Sequence, residues 1–247
     1  MIFAIYRFVP YISSYAARNL PQSWENSLGE YTVGSMISGK DVCKNPDGVK
    51  ALEKLVNILS GHSKERPIIT PKVVKKNEIN AFAAAGGNIV IFSKLIEKAD
   101  DPEELAGVIA HEIGHIIKRH PTQSLVRALG LDIVVNIAFG GGTAASAGNY
   151  LLQLRYSRNF EREADEIATQ ILYNANIDNR SFMKFFIRLG SEDKIKDDNI
   201  FSHISTHPAN SERIETIYNA KNTDNPSPIL NGDEWKLLKN ICVDKIK

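Results

Sequence analysis

The chain has 247 residues, is 43% hydrophobic and 24% charged, and carries a formal net charge of +1. That length and apolar content suit a soluble globular chain with a substantial core. The near-neutral balance, with no aromatics interleaved among basic runs, offers no footprint for nucleic acid and no call for a strongly acidic partner. Nothing in it sets an oligomeric state.

The first 17 residues are apolar-rich (Ile2, Phe3, Ile5, Tyr6, Phe8, Val9, Tyr11, Ile12), broken by Arg7 and Pro10. They are too short to span a bilayer and lack a clear small-residue cleavage site, so residues 1–20 are expected to form a packed or membrane-proximal arm. Residues 22–38 and 47–61 read as helices, the second starting at Pro46-Asp47 and stopping at Gly61. Pro67 to Lys76 carries β-branched residues and predicts a strand. Asn80 to Ala85, then Gly86-Gly87, then Asn88 to Phe92 predicts a hairpin, since two glycines supply the positive φ of a tight turn.

The next helix has clear ends. Asp100 and Asp101 are candidate caps, Pro102 fits the first turn, and Glu103 and Glu104 follow. Lys118, Arg119 and His120 lie in the expected last turn, and Pro121 is expected to stop the helix. Leu129 to Phe139 is strongly apolar, followed by Gly140-Gly141-Gly142 and small residues to Gly148. Asp132 and Asn136 inside it argue against a spanning helix and for a buried helix plus a small-residue segment. Residues from about Tyr150 to Ala175 form a second long helical pattern. No repeat, low-complexity tract or linker divides the chain, so residues 1–247 read as one domain with a catalytic core over 67–214.

Cys43 and Cys242 sit in no CxxC or Cys/His cluster and do not look like metal ligands. They can pair if the chain is exported and stay free thiols if it is cytosolic.

The most telling stretch lies inside the Pro102 helix. His111-Glu112-Ile113-Gly114-His115 reads HExxH. Two imidazoles four residues apart share a helical face and can address one zinc ion, while Glu112 is turned about 100° away, within reach of a water held by that ion. Leu105, Val108, Ile109, Ile113, Ile116 and Ile117 give the helix an apolar surface to bury.

A catalytic zinc needs a third protein ligand. His120, His203, His207 and the carboxylates within Tyr156–Asp165 are all candidates. His120 lies about 180° around from His111 in helical geometry, which predicts a cation at the helix C-terminus instead. Glu161 and Asp165 share a face, so Glu161 can bind metal while Asp165 accepts from the far nitrogen of a zinc histidine. Glu163 points the other way and is expected to be solvated or ion-paired. A charged helix face is the plainer account of all three acids.

Three blocks in the right order go further: Asn80-Ala81-Phe82 through Gly86-Gly87 into His111–His115; Glu161 to Asp165, preceded by Tyr156-Ser157-Arg158; and Thr206-His207-Pro208 with Arg213 six residues after the histidine. With them the chain resembles the gluzincin metallopeptidases that include the type I CAAX prenyl endopeptidases, the heat-shock membrane protease HtpX, mitochondrial Oma-type proteases and small bacterial periplasmic members. It is most similar in pattern to the small soluble or periplasmic ones, because it lacks convincing spanning helices around the motif.

The resemblance implies an α+β, mostly helical zincin-like domain with a small antiparallel sheet or hairpin beside the active-site helix. It implies one zinc on His111, His115 and Glu161, Glu112 as base and Asp165 behind a ligand. His207 and Arg213 would face the open side of the metal, where they can stabilise an oxyanion. In some periplasmic relatives the equivalent histidine instead binds the metal and holds the enzyme latent. The edge strand Asn80, Ala81, Phe82 would receive an extended substrate peptide.

The expected function is therefore zinc-dependent cleavage of protein substrates in protein quality control, in the bacterial periplasm or at the inner membrane. Membrane-surface contact would run through the N-terminal arm or residues 125–148. The alternative is a largely latent zinc protein that binds misfolded clients, with His207 closing the metal site. A deformylase-type hydrolase would want a cysteine ligand upstream, for which Cys43 lacks the context.

Overall fold

The computed structural model describes residues 15, 17–139, 156–193, 207 and 211–243. The N-terminal arm to residue 14, the glycine-rich stretch 140–148 and the candidate ligand His203 lie outside them.

In chain order the elements are α1 (Gln22–Met36), α2 (Pro46–Gly61), β1 (Thr70–Val74), β2 (Ala81–Ala84), β3 (Asn88–Phe92), α3 (Ser93–Lys98), α4 (Pro102–Ile117), α5 (His120–Leu129), α6 (Leu131–Ala138), α7 (Arg158–Asn174), α8 (Asn179–Asp193), α9 (Ser211–Asn219) and α10 (Gly232–Lys239). This is the expected mostly helical α+β arrangement. One detail differs: the sheet is mixed, in the order β1-β3-β2. β2 and β3 form the antiparallel hairpin, turning through Gly86 (φ 68°) and Gly87 (φ 82°). β1 pairs parallel to β3 on its other side. A parallel partner needs a crossover, so adjacency in sequence cannot reveal it.

Strand alternation sends the sheet's side chains into two apolar layers. Val73, Ala81, Ile89 and Ile91 join Leu55, Leu59, Leu105, Ile109, Ile171 and Phe182 in one cluster. Val74, Phe82, Ala84, Val90 and Phe92 join Leu28, Val33, Leu125 and Phe160 in the other. Both faces of the sheet are thus covered, and α4 runs through the interior. From Leu105 to His115 every residue of α4 is buried, which explains why its apolar pattern is broader than one stripe.

The caps obey simple chemistry. Asn45 accepts from the amides of Asp47 and Gly48 to start α2. Asp101 accepts from Glu104 N–H, with Pro102 in the first turn of α4. Ser157 accepts from Phe160 N–H to start α7, so α7 begins later than the expected Tyr150, with Tyr156 and Ser157 outside the helix.

The end of α4 also departs from expectation. Pro121 does not stop that helix. The chain breaks at Arg119, which adopts left-handed φ/ψ of 54°/33°, and His120-Pro121 begin α5. Proline is well placed in a first turn because its missing N–H has no helical partner there.

Cys43 and Cys242 form a disulfide across a sequence separation of 199. It ties the segment before α2 to the end of α10, where Asn45 N–H also donates to the Ile241 carbonyl.

Candidate metal centre

The two histidines of the motif present their Nε2 atoms 3.0 Å apart. Their partners come from elsewhere in the chain. Glu161 sits in the first turn of α7, with its Oε1 3.5 Å from His115 Nε2 and its Oε2 3.5 Å from His111 Nε2. His207 brings Nδ1 to 3.2 Å from His111 Nε2 and 3.0 Å from Glu161 Oε1. All four residues are buried, and one donor atom from each lies within 4.8 Å of the others.

Gly114 makes the approach of α7 possible. A Cβ there would lie 2.8 Å from the Ala164 carbonyl oxygen and 2.9 Å from its Cα. The glycine in the middle of the motif therefore lets two helix backbones touch, which carries Glu161 to the histidines.

Behind the donors stand two chains of polar contacts. His111 turns its Nδ1 to Asp165 Oδ1 at 2.9 Å. Asp165 in turn accepts from Arg213 through Nε at 2.7 Å and Nη2 at 2.8 Å. Arg213 Nη1 lies 2.8 Å from Glu161 Oε2 and donates to the His207 carbonyl at 3.2 Å. The guanidinium is thus directed at the two carboxylates of α7.

The second chain was not expected. His115 Nδ1 lies 2.9 Å from His120 Nδ1, and His120 Nε2 lies 3.2 Å from Glu163 Oε2. His120 is not an exposed C-terminal cation of α4. The break at Arg119 resets the helical phase and buries its ring completely. Burial pushes its pKa down to about 3, so the ring is neutral. Glu163 is half-buried and hydrogen-bonded, reached by His120 from a direction that simple helical extrapolation misses. The signal that marks this turn is Arg119-His120-Pro121, which reads as a helix start once proline is given its first-turn role.

Glu112 is fully buried beside the cluster. Its Oε2 accepts from the Ala83 amide at 2.7 Å, while Oε1 faces His207 Nε2 at 3.6 Å. Burial pushes its carboxyl above the usual range, although His207 and His111 pull it back. Burial acts the same way on Glu161, but there the imidazoles of His207 and His111 prevail and hold it well below that range. Burial favours a neutral His111, yet Asp165 and Glu161 raise it to about 9. Burial and the neighbouring His111 drive His115 well below its ordinary value. A cation is favoured at this spot, and the site's own imidazoles cannot all supply it.

β2 forms an outer edge of the sheet next to Glu112. Phe92 N–H donates to the Asn80 carbonyl, so by strand alternation Asn80 and Phe82 turn their backbone groups inward to β3. Ala81 and Ala83 turn theirs to the outer side of β2, where the Ala83 amide meets Glu112 Oε2.

A family model described as "Peptidase family M48" matches residues 50–221. The chain belongs to peptidase family M48. Among its relatives, the beta-barrel assembly-enhancing protease of Escherichia coli (strain K12) is 26% identical over 94% of this chain and 50% of its own length. Metalloprotease LoiP of the same organism is 27% identical over 85% of this chain and 86% of its own length. The mitochondrial metalloendopeptidase OMA1 of Arabidopsis thaliana is 30% identical over 60% of this chain and 30% of its own length. The chain thus spans about half the length of the beta-barrel assembly-enhancing proteases it matches.

M48 metallopeptidases are zinc-dependent, and this M48 chain has donors that fit the ion. Two or three imidazoles with one carboxylate form a zinc-type set. Bonds of about 2.05 Å in a tetrahedron give donor separations of about 3.3 Å; five of the observed ones, counting both Glu161 oxygens, run from 3.0 to 3.5 Å, and one donor from each residue lies within 4.8 Å of the others. Cys43, committed to the disulfide, is not available as a ligand.

Proposed function

We propose that this M48 chain is a zinc endopeptidase that cleaves protein substrates in quality control, and that His207 closes its site at rest. The observation that carries this is the convergence of His111, His115, Glu161 and His207 with Glu112 alongside. Bound zinc polarises a carbonyl and acidifies a water molecule. Everything else is work for the chain. His111, His115 and Glu161 would hold the ion. Asp165 fixes the ring of His111, and Arg213 fixes both carboxylates. Glu112, anchored at Oε2 by Ala83, takes a proton at Oε1 and returns it to the leaving amine. The upward push of burial suits a carboxylate that must hold a proton in passing. The outer strand β2, with Asn80, Ala81 and Phe82 beside Glu112, is where an extended peptide would align.

His207 supports the closed resting state. A catalytic zinc keeps one position open, whereas four protein ligands make a closed site. His207, among the converging donors, would fill that fourth place, and its Nε2 faces Glu112. Were His207 to withdraw, the site would have an open position, and the imidazole could then stabilise developing negative charge from the substrate side.

An exported setting is supported by the Cys43–Cys242 disulfide and by the beta-barrel assembly role named for the bacterial relatives. No helix among the described residues is long and apolar enough to cross a membrane. Contact with a membrane surface through the N-terminal arm and residues 125–148 is supported by the exposure of Leu131, Ile133 and Phe139 on and just after α6.

The deciding experiment is metal analysis with casein digestion on the wild type and Glu112→Gln. We expect near-stoichiometric zinc in both and cleavage only with glutamate present. An active Glu112→Gln enzyme sinks the mechanism, and a wild type without zinc sinks the metal assignment.

A further inference from the structure

Of the two zinc histidines, His111 is backed by a carboxylate, the usual arrangement. His115 is backed by another imidazole. We infer that His120 and Glu163 are positioning residues for the metal: they fix the tautomer and ring plane of His115 through a relay running from the ion to the protein surface. The inference rests on the zinc reading above.

The protonation pattern has one solution. His115 must offer Nε2 to the metal, so its Nδ1 carries the hydrogen and donates. His120 Nδ1, 2.9 Å away, must then be the acceptor. A neutral imidazole that accepts at Nδ1 carries its hydrogen at Nε2. That hydrogen points at Glu163 Oε2, 3.2 Å away. Each donor in the chain thus meets an acceptor, and the line ends on a carboxylate 35% exposed to solvent.

The surrounding packing is arranged for rings held in fixed planes. Tyr156 stacks on His115 with centroids 4.0 Å apart and planes 20° apart. Phe160 stacks on His120 at 3.9 Å and 9°. Arg127 covers the Phe160 ring, 5.4 Å from its centroid. The aromatics come from the start of α7 and the residue just before its cap, the imidazoles from α4 and α5. The relay therefore also fastens α7, which brings Glu161, to the histidine helix.

Zinc affinity, measured by competition with a chromophoric chelator on the full chain, tests this without reference to cleavage. His120→Phe keeps a ring against Phe160 and removes the acceptor. We expect its zinc affinity to fall about 10- to 100-fold. His120→Gln restores a carbonyl acceptor and should recover most of the loss. Glu163→Ala should weaken binding less than His120→Phe, and Glu163→Gln, which keeps an acceptor oxygen, less still. Melting of the chelated protein reports on the fold separately. Unchanged affinity in a folded His120→Phe variant overturns the inference. Equal losses in His120→Phe and His120→Gln, tracking a lower melting temperature of the metal-free chain, also overturn it, since a purely structural role predicts that. Should His120→Phe fail to fold, Glu163→Ala decides, and unchanged affinity there overturns the relay. A wild type that binds no zinc would instead reject the metal reading.

Discussion

Arg213 grips Asp165 with two nitrogens, Nε at 2.7 Å and Nη2 at 2.8 Å, in a pair buried from solvent. The same guanidinium sends Nη1 to Glu161. One cation from α9 therefore sets the position of both acids that α7 contributes to the site.

Removing that cation leaves carboxylates buried without their partner. Arg213→Met should destabilise the fold by about 3–5 kcal/mol and weaken zinc binding, because Glu161 and Asp165 lose their register. Arg213→Lys supplies charge without the two-pronged geometry and should fall between. Denaturant melts and zinc titration check both; a Met variant as stable as wild type refutes the clamp.

His207→Ala separates closure from catalysis. With the fourth donor gone, three protein ligands still hold the metal, so zinc stoichiometry should persist and casein cleavage should rise. A fall in cleavage with zinc retained would make oxyanion stabilisation the main role of His207.

Gly114→Ala inserts a Cβ where the Ala164 backbone lies within 3 Å. We expect a cost of about 1–3 kcal/mol and reduced zinc affinity as α7 is pushed off α4. Comparing Gly114→Ala with Gly61→Ala, which meets nothing within 4 Å, controls for the substitution itself. Equal effects would show that close packing at Gly114 does not matter.

Acid stability gives a test away from the metal. Partial burial acts to raise Asp178, but Arg180 and Asn222 hold it down to about 2. A depressed carboxylate stabilises the fold fully above its unfolded value of about 3.9 and loses that contribution as pH falls toward 2. Asp178→Asn keeps the side-chain oxygen for the Arg180 amide and removes the charge. Its deficit in melting temperature should be present above about pH 5 and close as the solution is acidified to pH 2. A deficit constant across that range contradicts the assignment.

Replacing both cysteines by serine should cost about 2–5 kcal/mol, since the bridge closes a very long loop. Zinc stoichiometry should be unaffected, because neither sulfur belongs to the donor group. Calorimetry with metal analysis measures both.

Much of this was readable because local rules carried it. The HExxH spacing, the Asp101-Pro102 start and the two-glycine turn each specify geometry within a few residues. Glu161 and Asp165 were legible as a pair on one face, and it was the resemblance that tied them to the zinc histidines, since spacing within a helix says nothing about which helix it meets. Gly114 passed unnoticed for the same reason: its importance lies in Ala164, 50 residues on. His120 was misplaced because extending α4 through Arg119 carried the wrong phase forward. The parallel pairing of β1 and the reach of Arg213 toward Glu161 depend on tertiary packing that no local pattern encodes.

The donors that surround the metal are scattered widely along the chain. His207 meets His111 across 96 residues and Glu161 across 46. A ribosome emitting this polypeptide would deliver the HExxH helix long before Glu161, and Glu161 well before His207 and Arg213. The three proposed ligands and the base are all made once Glu161 is, whereas the arginine that clamps its carboxylate and the histidine proposed to close the site come only with the later segment. An unfinished molecule would therefore lack both the grip on those acids and the stopper.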